Sequence, residues 1–247
     1  MLQLSGTIQT YTMDFMVQQE DCDIFNQMMP AAFLRKAQQA SIQHCNLAGL
    51  TQQCYQQTQT VFLMAKVAVQ ILKPVYAEQI LTIKTMPFAP KRVSYHRFST
   101  FFDSQGTPVA QYDSRWILVD LNTRRILRTP PKEMQFPFLN PVSQELDLSF
   151  EKATNLQQWQ LNAGYSLCDC NGHINHTRYA DIICNCLPPN LLQQNRISKM
   201  VLTYHQEVCF GEDFVLQAGF AQPDQFYANI QKQNKNATEC GLWLLPR

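Results

Sequence analysis

The two halves of this 247-residue chain carry the same order of predicted elements. In the first half, apolar residues at spacings of three and four predict an amphipathic helix that begins at Pro30 and ends at Gly49. Segments rich in β-branched and aromatic residues follow at 61–72, 79–88, 91–103 and 109–121. The connections between these segments are too short for crossover helices, so they predict an antiparallel sheet.

After a proline-rich stretch from Pro130 to Phe150, the same order begins again. A strand-like segment at 156–167 precedes a shorter predicted helix at 176–187, and further strands are predicted at 199–208, 213–221, 225–233 and 238–245. We therefore predict an α+β protein with an N-terminal domain at 1–137, a linker at 138–152 and a C-terminal domain at 153–247.

The halves can also be aligned residue by residue. Setting Asp23 against Asp169 fixes an offset of 146 residues (169 minus 23). Further along, KPVYAEQILT aligns with EVCFGEDFVL and pairs Glu78 with Glu212 at an offset of 134 residues (212 minus 78). Identity between the halves is low, so the alignment favours a duplication and leaves chance similarity open.

The halves differ most at positions suited to chemistry. The second half has four polar or titratable residues there, namely Asp169, Asn171, His173 and Glu207. The first half has Phe25, Gln27 and Lys73 opposite the last three of them. Only the second half is therefore expected to carry out a reaction.

Charge and cysteine content restrict the class of protein. A net charge of +1 gives little long-range field and argues against a nucleic-acid partner. No apolar run approaches the roughly 18 residues of a membrane span. The N-terminus does not read as a signal peptide, so we expect a cytoplasmic protein whose nine cysteines are free thiols. The closely spaced pairs Cys168/Cys170 and Cys184/Cys186 do not fit usual zinc spacing, and no metal is predicted.

Asp169, Asn171 and His173 stand at alternate positions in the loop before the second predicted helix. Asp and Asn are common in turns and at helix caps, so a purely structural interpretation stays open. In an extended segment the three side chains would project to one side, towards the helix N-terminus. Backbone N–H groups there could bind an oxyanion while the imidazole and a carboxylate handle a proton.

These motifs resemble those of the acyl-acyl-carrier-protein thioesterases. The D-x-N-x-H-x-N motif at 169–175, the segment SRWILVDLNTRRILRTP at 114–130 and the segment LTYHQEVCFGEDFVLQ at 202–217 are similar to segments of that family. The resemblance covers nearly the whole chain, from about residue 7 to about residue 245.

The resemblance implies a tandem double hot-dog fold, in which each half is an antiparallel sheet wrapped around a central helix. It also implies that Asp169, Asn171, His173 and Glu207 form the catalytic set for hydrolysis of a fatty acyl thioester, with no cofactor. One carboxylate, Asp169 or Glu207, would activate water or attack directly, His173 would be its proton partner, and Asn171 would orient water or carbonyl.

A cysteine nucleophile is the alternative for the reaction. Plant relatives carry Cys directly after the strand Glu, whereas here Val208 follows Glu207 and Cys209 comes one place later. In a strand, Cys209 would share a face with Glu207. The departure weakens a Cys-His scheme and favours the carboxylate.

The resemblance further implies that the acyl chain lies in the N-terminal domain. Phe33, Met64 and Asn175 are the candidate substrate-binding residues, although Phe33 and Met64 could equally be ordinary core. The partner would be an acidic acyl carrier protein, for which Arg92, Arg97, Arg124 and Arg125 are candidate contacts. An acyl-CoA thioesterase and a non-catalytic acyl-carrier-binding protein remain alternatives, and the chain is expected to be a monomer or a homodimer.

Overall fold

The computed structural model describes residues 4–6, 9–134 and 144–247. By their contacts, residues divide into a first unit, Met1–Ala65 with Leu72–Leu146, and a second unit, Lys66–Ile71 with Asp147–Arg247. The predicted linker at 138–152 lies outside the described residues for positions 138–143. The domain boundaries given above remain a proposal.

In the first unit, helix α1 (Pro30–Leu47) packs against an antiparallel sheet. The strands, in chain order, are β1 (Leu4–Gly6), β2 (Tyr11–Met16), β3 (Thr60–Ile71), β4 (Ile80–Lys91), β5 (Ser94–Phe102) and β6 (Pro108–Asp120). Strands pair antiparallel in the order β1, β2, β4, β5, β6. Strand β3 contributes residues 60–65 to this unit and residues 66–71 to the second unit.

The buried face of α1 explains why the helix lies against this sheet. Phe33, Leu34 and Ala37 are at most 1% exposed, and the Phe33 ring meets the Phe101 ring edge-on at 5.2 Å. Pro30 stands in the first helical turn, where its missing N–H has no helical partner to lose. Gly49 follows the helix end with φ +84°, a left-handed conformation that glycine adopts without strain.

In the second unit, two short helices, α3 (Arg178–Cys184) and α4 (Pro189–Gln194), accompany a second antiparallel sheet. Its strands are β7 (Gln157–Asn162), β8 (Asn195–Tyr204), β9 (Asp213–Gln222), β10 (Gln225–Lys232) and β11 (Lys235–Pro246). The pairing order is β3, β8, β11, β10, β9, β7, with residues 66–70 of β3 joining β8. The α+β prediction is confirmed.

Several elements differ from those predicted. The structure adds β2, whose Tyr11, Met13 and Phe15 face the core, and helix α2 (Gln52–Thr58), which Thr51 caps by accepting a hydrogen bond from the Cys54 N–H. Strand β8 starts four residues earlier than expected and ends at Tyr204. The region around Glu207 is therefore a loop, and the strand predicted to run to residue 208 is corrected.

Candidate active site

The loop before α3 is a tight turn. The Asp169 N–H donates to the His173 carbonyl at 3.1 Å, and the Gly172 N–H donates to the Asp169 carbonyl at 3.0 Å. Gly172 has φ +78°, a left-handed conformation that such a turn requires. The expectation that residues 169, 171 and 173 lie in an extended segment is wrong, because the chain reverses direction between Asp169 and His173.

Both oxygens of the Asp169 carboxylate are bonded within this turn. Oδ1 accepts from the Asn171 N–H and Oδ2 accepts from the Asn175 side-chain amide, each at 2.9 Å. The Asn175 Oδ1 in turn accepts from the Thr177 N–H at 3.0 Å and from the Thr177 hydroxyl at 2.8 Å. Asp169 and Asn175 thus tie the turn to the start of α3.

The start of α3 does not offer the free backbone donors expected from sequence. Asn175 takes the Thr177 N–H through its side chain, and its carbonyl accepts the Arg178 N–H at 2.8 Å. Helix α3 is also only 7 residues long. We therefore assign no oxyanion site to these two N–H groups.

His173 and Glu207 face each other at the surface of the second unit. The His173 Nε2 lies 3.6 Å from the Glu207 Oε1, and their side chains are 23% and 52% exposed. The His173 Nδ1 lies 3.2 Å from the Ile174 carbonyl, which can only accept, so in the neutral imidazole the proton sits on Nδ1. This assignment leaves the Nε2 lone pair directed towards Glu207.

Glu207 is held through its backbone and its neighbours. The Lys232 ammonium donates to the Glu207 carbonyl at 3.1 Å, and the Val208 carbonyl accepts from the Ile174 N–H at 2.9 Å. The carboxylate itself extends into solvent next to His173. Residues 207–209 therefore have a fixed backbone and one exposed acid.

Cys209 pairs with His173 through an isolated backbone bridge and is exposed. In the part of the chain that the structure describes, no hydrogen bond joins its thiol to the His173 ring. Asn171 is exposed as well, and its recorded bond is from the backbone N–H to Asp169. The structure thus brings His173 and Glu207 together, with Asn171 at the tip of the same turn.

Behind His173 lies a buried aromatic group that the sequence did not indicate. The Tyr204 hydroxyl donates to the His176 carbonyl at 2.8 Å, and the Tyr204 ring contacts the rings of His176 and Tyr179. Burial lowers the pKa of His176 to about 4 and raises that of Tyr179. His176 is therefore neutral near pH 7, and no sequence motif distinguishes it from His173.

The first unit contains the same turn without the same side chains. The Asp23 N–H donates to the Gln27 carbonyl at 2.8 Å, as the Asp169 N–H does to His173. Asp23 Oδ1 accepts from the Phe25 and Gln27 N–H groups at 2.9 Å. The predicted offset of 146 residues therefore describes a structural equivalence between the two turns.

The later alignment must be shifted by one residue. Met28 N–H donates to the Val75 carbonyl, and its counterpart Ile174 donates to Val208, which sets an offset of 133 residues (208 minus 75). Glu78 thus matches Gly211, and both have positive φ, at 71° and 81°. Gln79 matches Glu212, and Pro74, rather than Lys73, occupies the position of Glu207.

Among the predicted carrier contacts, Arg97 is corrected. It is 7% exposed, and its guanidinium lies 3.0 Å from the His44 Nδ1 and donates to Thr85 at 3.2 Å in the interior of the first unit. Arg92, Arg124 and Arg125 are exposed. Of the predicted substrate contacts, Phe33 is fully buried and Met64 is partly exposed on β3.

Two searches of the described residues gave negative results. No group of three or more His, Cys, Asp or Glu side chains in those ranges could hold a metal ion. No helix in them is long and apolar enough to cross a membrane.

Comparison with known families identifies the chain. Residues 8–135 match the model of the acyl-ACP thioesterase N-terminal domain, and residues 150–241 match that of the C-terminal domain. Together these matches cover most of the sequence. The protein belongs to the acyl-ACP thioesterase family and has a double hot-dog fold.

Two curated relatives are similar over parts of their length. A chloroplastic palmitoyl-acyl carrier protein thioesterase of Arabidopsis thaliana is 27% identical over 122 residues, 46% of this chain and 29% of the relative. The enzyme of the same description from Cuphea hookeriana is 22% identical over 198 residues, 73% of this chain and 47% of the relative. The chain thus spans less than half the length of either relative.

Solved structures share the fold at low sequence identity. An acyl-ACP thioesterase from Bacteroides thetaiotaomicron has TM-score 0.86 at 19% identity, covering 96% of this chain and 98% of that one. A putative oleoyl thioesterase from Lactobacillus plantarum has TM-score 0.84 at 20% identity, covering 96% of both chains. The 12:0-ACP thioesterase from Umbellularia californica has TM-score 0.83 at 13% identity, covering 98% and 99%.

Proposed function

We propose that this protein hydrolyses the thioester of a fatty acyl-acyl carrier protein and releases the free fatty acid and the carrier protein. The observation that carries the proposal is the His173–Glu207 pair, 3.6 Å apart at the surface of the second unit. The first unit has Gln27 and Pro74 at the equivalent positions, so the pair is not a requirement of the fold.

The pair is suited to activating water. A water molecule between the His173 Nε2 and the Glu207 Oε1 can donate a hydrogen bond to each of these two acceptors. As the water oxygen attacks the thioester carbonyl carbon, its proton passes to the pair and the carbonyl oxygen becomes an oxyanion. Collapse of this intermediate breaks the carbon–sulfur bond and expels the thiolate, which takes up a proton. Thiols ionise near pH 8.5, so this leaving group needs little acid assistance.

We assign the water-activating role to Glu207 rather than to Asp169. Both oxygens of Asp169 accept hydrogen bonds within the turn, and Asp23 makes a similar set in the first unit. A carboxylate that the fold uses in both halves is better explained by turn geometry than by catalysis. Asp169 and Asn175 then serve as positioning residues, and Asn171 is the candidate donor to the carbonyl oxygen of the substrate.

We propose that the domain at 1–137 binds the acyl chain and the domain at 153–247 catalyses its hydrolysis. Phe33 and Met64 are the proposed determinants of chain length. The aromatic and aliphatic interior around Phe33 and Phe101 supports this choice, because an acyl chain is bound by apolar contacts.

For the carrier protein, we propose contacts with Arg92, Arg124 and Arg125, which are exposed cations of the first unit. Carrier proteins of this kind are acidic, and rim charges of opposite sign raise the association rate. Hydrolysis of acyl-carrier protein should then slow with added salt more than hydrolysis of acyl-CoA, which is the alternative substrate.

Cellular context and assembly follow from the same proposal. All nine cysteines are unpaired thiols, which supports a reducing cytoplasm. The reaction consumes only water, so no cofactor is assigned. A monomer or a homodimer suffices, because the double hot-dog already supplies two such domains in one chain.

The function is tested by incubating the purified protein with a series of acyl-carrier proteins from short to long chains and measuring the free fatty acids released. We expect catalytic release with a preferred chain length, and Met64→Trp should shift the preference towards shorter chains. Binding without release would favour the non-catalytic alternative. Faster hydrolysis of acyl-CoA than of every acyl-carrier protein would favour an acyl-CoA thioesterase.

A further inference from the structure

An ion pair outside the predicted site grips the loop that carries Glu207. Lys232, the last residue of β10, places its ammonium 2.6 Å from the Glu212 Oε2 and 3.1 Å from the Glu207 carbonyl. The same Glu212 oxygen accepts from the Cys209 N–H at 2.7 Å. The Lys232–Glu212 pair therefore bonds to both ends of residues 207–209.

The position of this pair gives it more influence than an ordinary surface ion pair has. The Lys232 side chain is 16% exposed and that of Glu212 is 34% exposed. Hydrogen bonds from Lys232 and from the Cys209 N–H keep the pKa of Glu212 below its usual value. Since β8 ends at Tyr204, Glu207 has no strand pairing to fix it.

The first unit shows that the turn itself does not need this charge pair. Gln79, the counterpart of Glu212, accepts from the Tyr76 N–H at 2.9 Å through its neutral amide. The strand registers match Phe101 with Ile230, since they pair with Ile83 and Leu216 and each precedes a β-bulge. Two residues further along, Lys232 corresponds to Asp103, an acid instead of a base.

The charged version of the clamp therefore occurs in the unit that has Glu207, and the neutral version in the unit that has Pro74. We infer that Lys232 and Glu212 are positioning residues, which hold the backbone of Glu207 so that its carboxylate stays beside His173. This inference rests on the proposed function, because it gives Glu207 a catalytic task.

The test is a set of variants assayed with one acyl-carrier protein. Lys232→Met removes the donor to the Glu207 carbonyl, and Glu212→Gln keeps the bond to the Cys209 N–H, as Gln79 does for Tyr76 in the first unit. We expect both to lower kcat by about 10-fold to 100-fold with KM nearly unchanged, because a small misplacement of a reacting group costs about that much. Lys232→Arg should restore most of the rate, since it keeps a donor and a positive charge.

The same substitutions in a Glu207→Gln background separate positioning from general stability. If Lys232 acts through Glu207, Lys232→Met should cause little further loss in that background. Equal loss in both backgrounds would contradict the inference, and so would an unchanged kcat in Lys232→Met and Glu212→Gln. If Glu207→Gln itself kept full turnover, the catalytic assignment proposed above would fail instead.

Two matched controls are available. Gln79→Ala removes the equivalent bond in the first unit, and Lys152→Met removes an ion pair of the second unit, 2.6 Å from Lys152 Nζ to Glu239 Oε1. Both should keep wild-type kcat whatever they do to the melting temperature. A kcat loss in Lys152→Met as large as that in Lys232→Met would point to a general effect of ion pairs on this unit and overturn the inference.

Discussion

The turn at Asp23 and the turn at Asp169 have the same backbone and different side chains. In each, the aspartate N–H donates to the carbonyl four residues later, and a residue with positive φ, Asn26 or Gly172, follows. Each aspartate accepts two hydrogen bonds with its side chain. The two halves thus share a scaffold that does not depend on catalysis.

What differs is the set of side chains on that scaffold. His173 replaces Gln27, and Glu207 replaces Pro74 on the neighbouring loop. Asn or Gly at the left-handed position and Asp at the start of the turn are what the conformation requires. The comparison therefore separates residues that form the turn from residues that are available for chemistry.

The largest effect expected is on turnover at the two equivalent positions His173 and Gln27. His173→Ala should lower kcat by about a thousandfold or more, because it removes a proton acceptor from the reacting water. Gln27→Ala should leave kcat within about twofold, because the first unit carries no counterpart of Glu207. Steady-state hydrolysis of one acyl-carrier protein by both variants measures this difference.

A His173→Ala variant that turns over at nearly the wild-type rate would break the comparison. Circular dichroism and melting temperature should be recorded for both variants, because the result is informative only if each is folded. The side chain of Gln27 is not part of the turn's backbone hydrogen bonds, so we expect Gln27→Ala to fold normally.

The next effect is a pH dependence of stability that arises in the second half. His176, whose counterpart in the first half is Pro30, has its pKa lowered by burial to about 4. An unfolded histidine titrates near pH 6.5, so between these values unfolding takes up a proton, and the free energy of unfolding falls as the pH decreases. The loss reaches at most about 3 kcal/mol at the acid end of that range.

Urea unfolding from about pH 7 to about pH 4.5 tests this expectation. The wild type should lose more stability across the range than His176→Gln, which has no group to protonate there. Parallel curves for the two proteins would show that another group dominates the acid response. Comparing the two proteins removes the shared contributions of the Asp and Glu side chains.

Much of the fold could be predicted because long periodic segments state their own structure. Helix α1 and strands β4 to β6 appear close to their predicted bounds, since their burial patterns are long and regular. Helix α2 was missed because QQCYQQT has no apolar face, and its signal was only the Thr51 cap. Strand β2 was missed because it is only 6 residues long.

The site was harder to predict, because side-chain partners are not visible in a sequence. The motif indicated His173 and Glu207, and the structure places them 3.6 Å apart. It could not show that Asp169 spends both oxygens on its own turn, nor that Arg97 points from β5 into the interior. Lys232 was not considered at all, since its position follows only from the β10 register.

The smallest effect concerns stability at the two aspartates that form the turns. Asp23→Ala and Asp169→Ala each remove two hydrogen bonds to a carboxylate, so we expect similar losses of about 1–3 kcal/mol in the free energy of unfolding. Turnover should decrease clearly only in Asp169→Ala, because only that turn carries His173. Urea unfolding and kcat measured on the same samples separate the two effects.

Asp169→Asn adds a decisive step to this pair of variants. Asn can keep one acceptor for the Asn171 N–H and so preserve the turn, but it cannot act as a base or a nucleophile. If Asp169 only positions the turn, Asp169→Asn should retain much more activity than Asp169→Ala. If both variants are equally inactive while Asp169→Asn remains as stable as the wild type, the carboxylate of Asp169 takes part in the reaction, and the scaffold shared by the two halves would then have acquired chemistry in one of them.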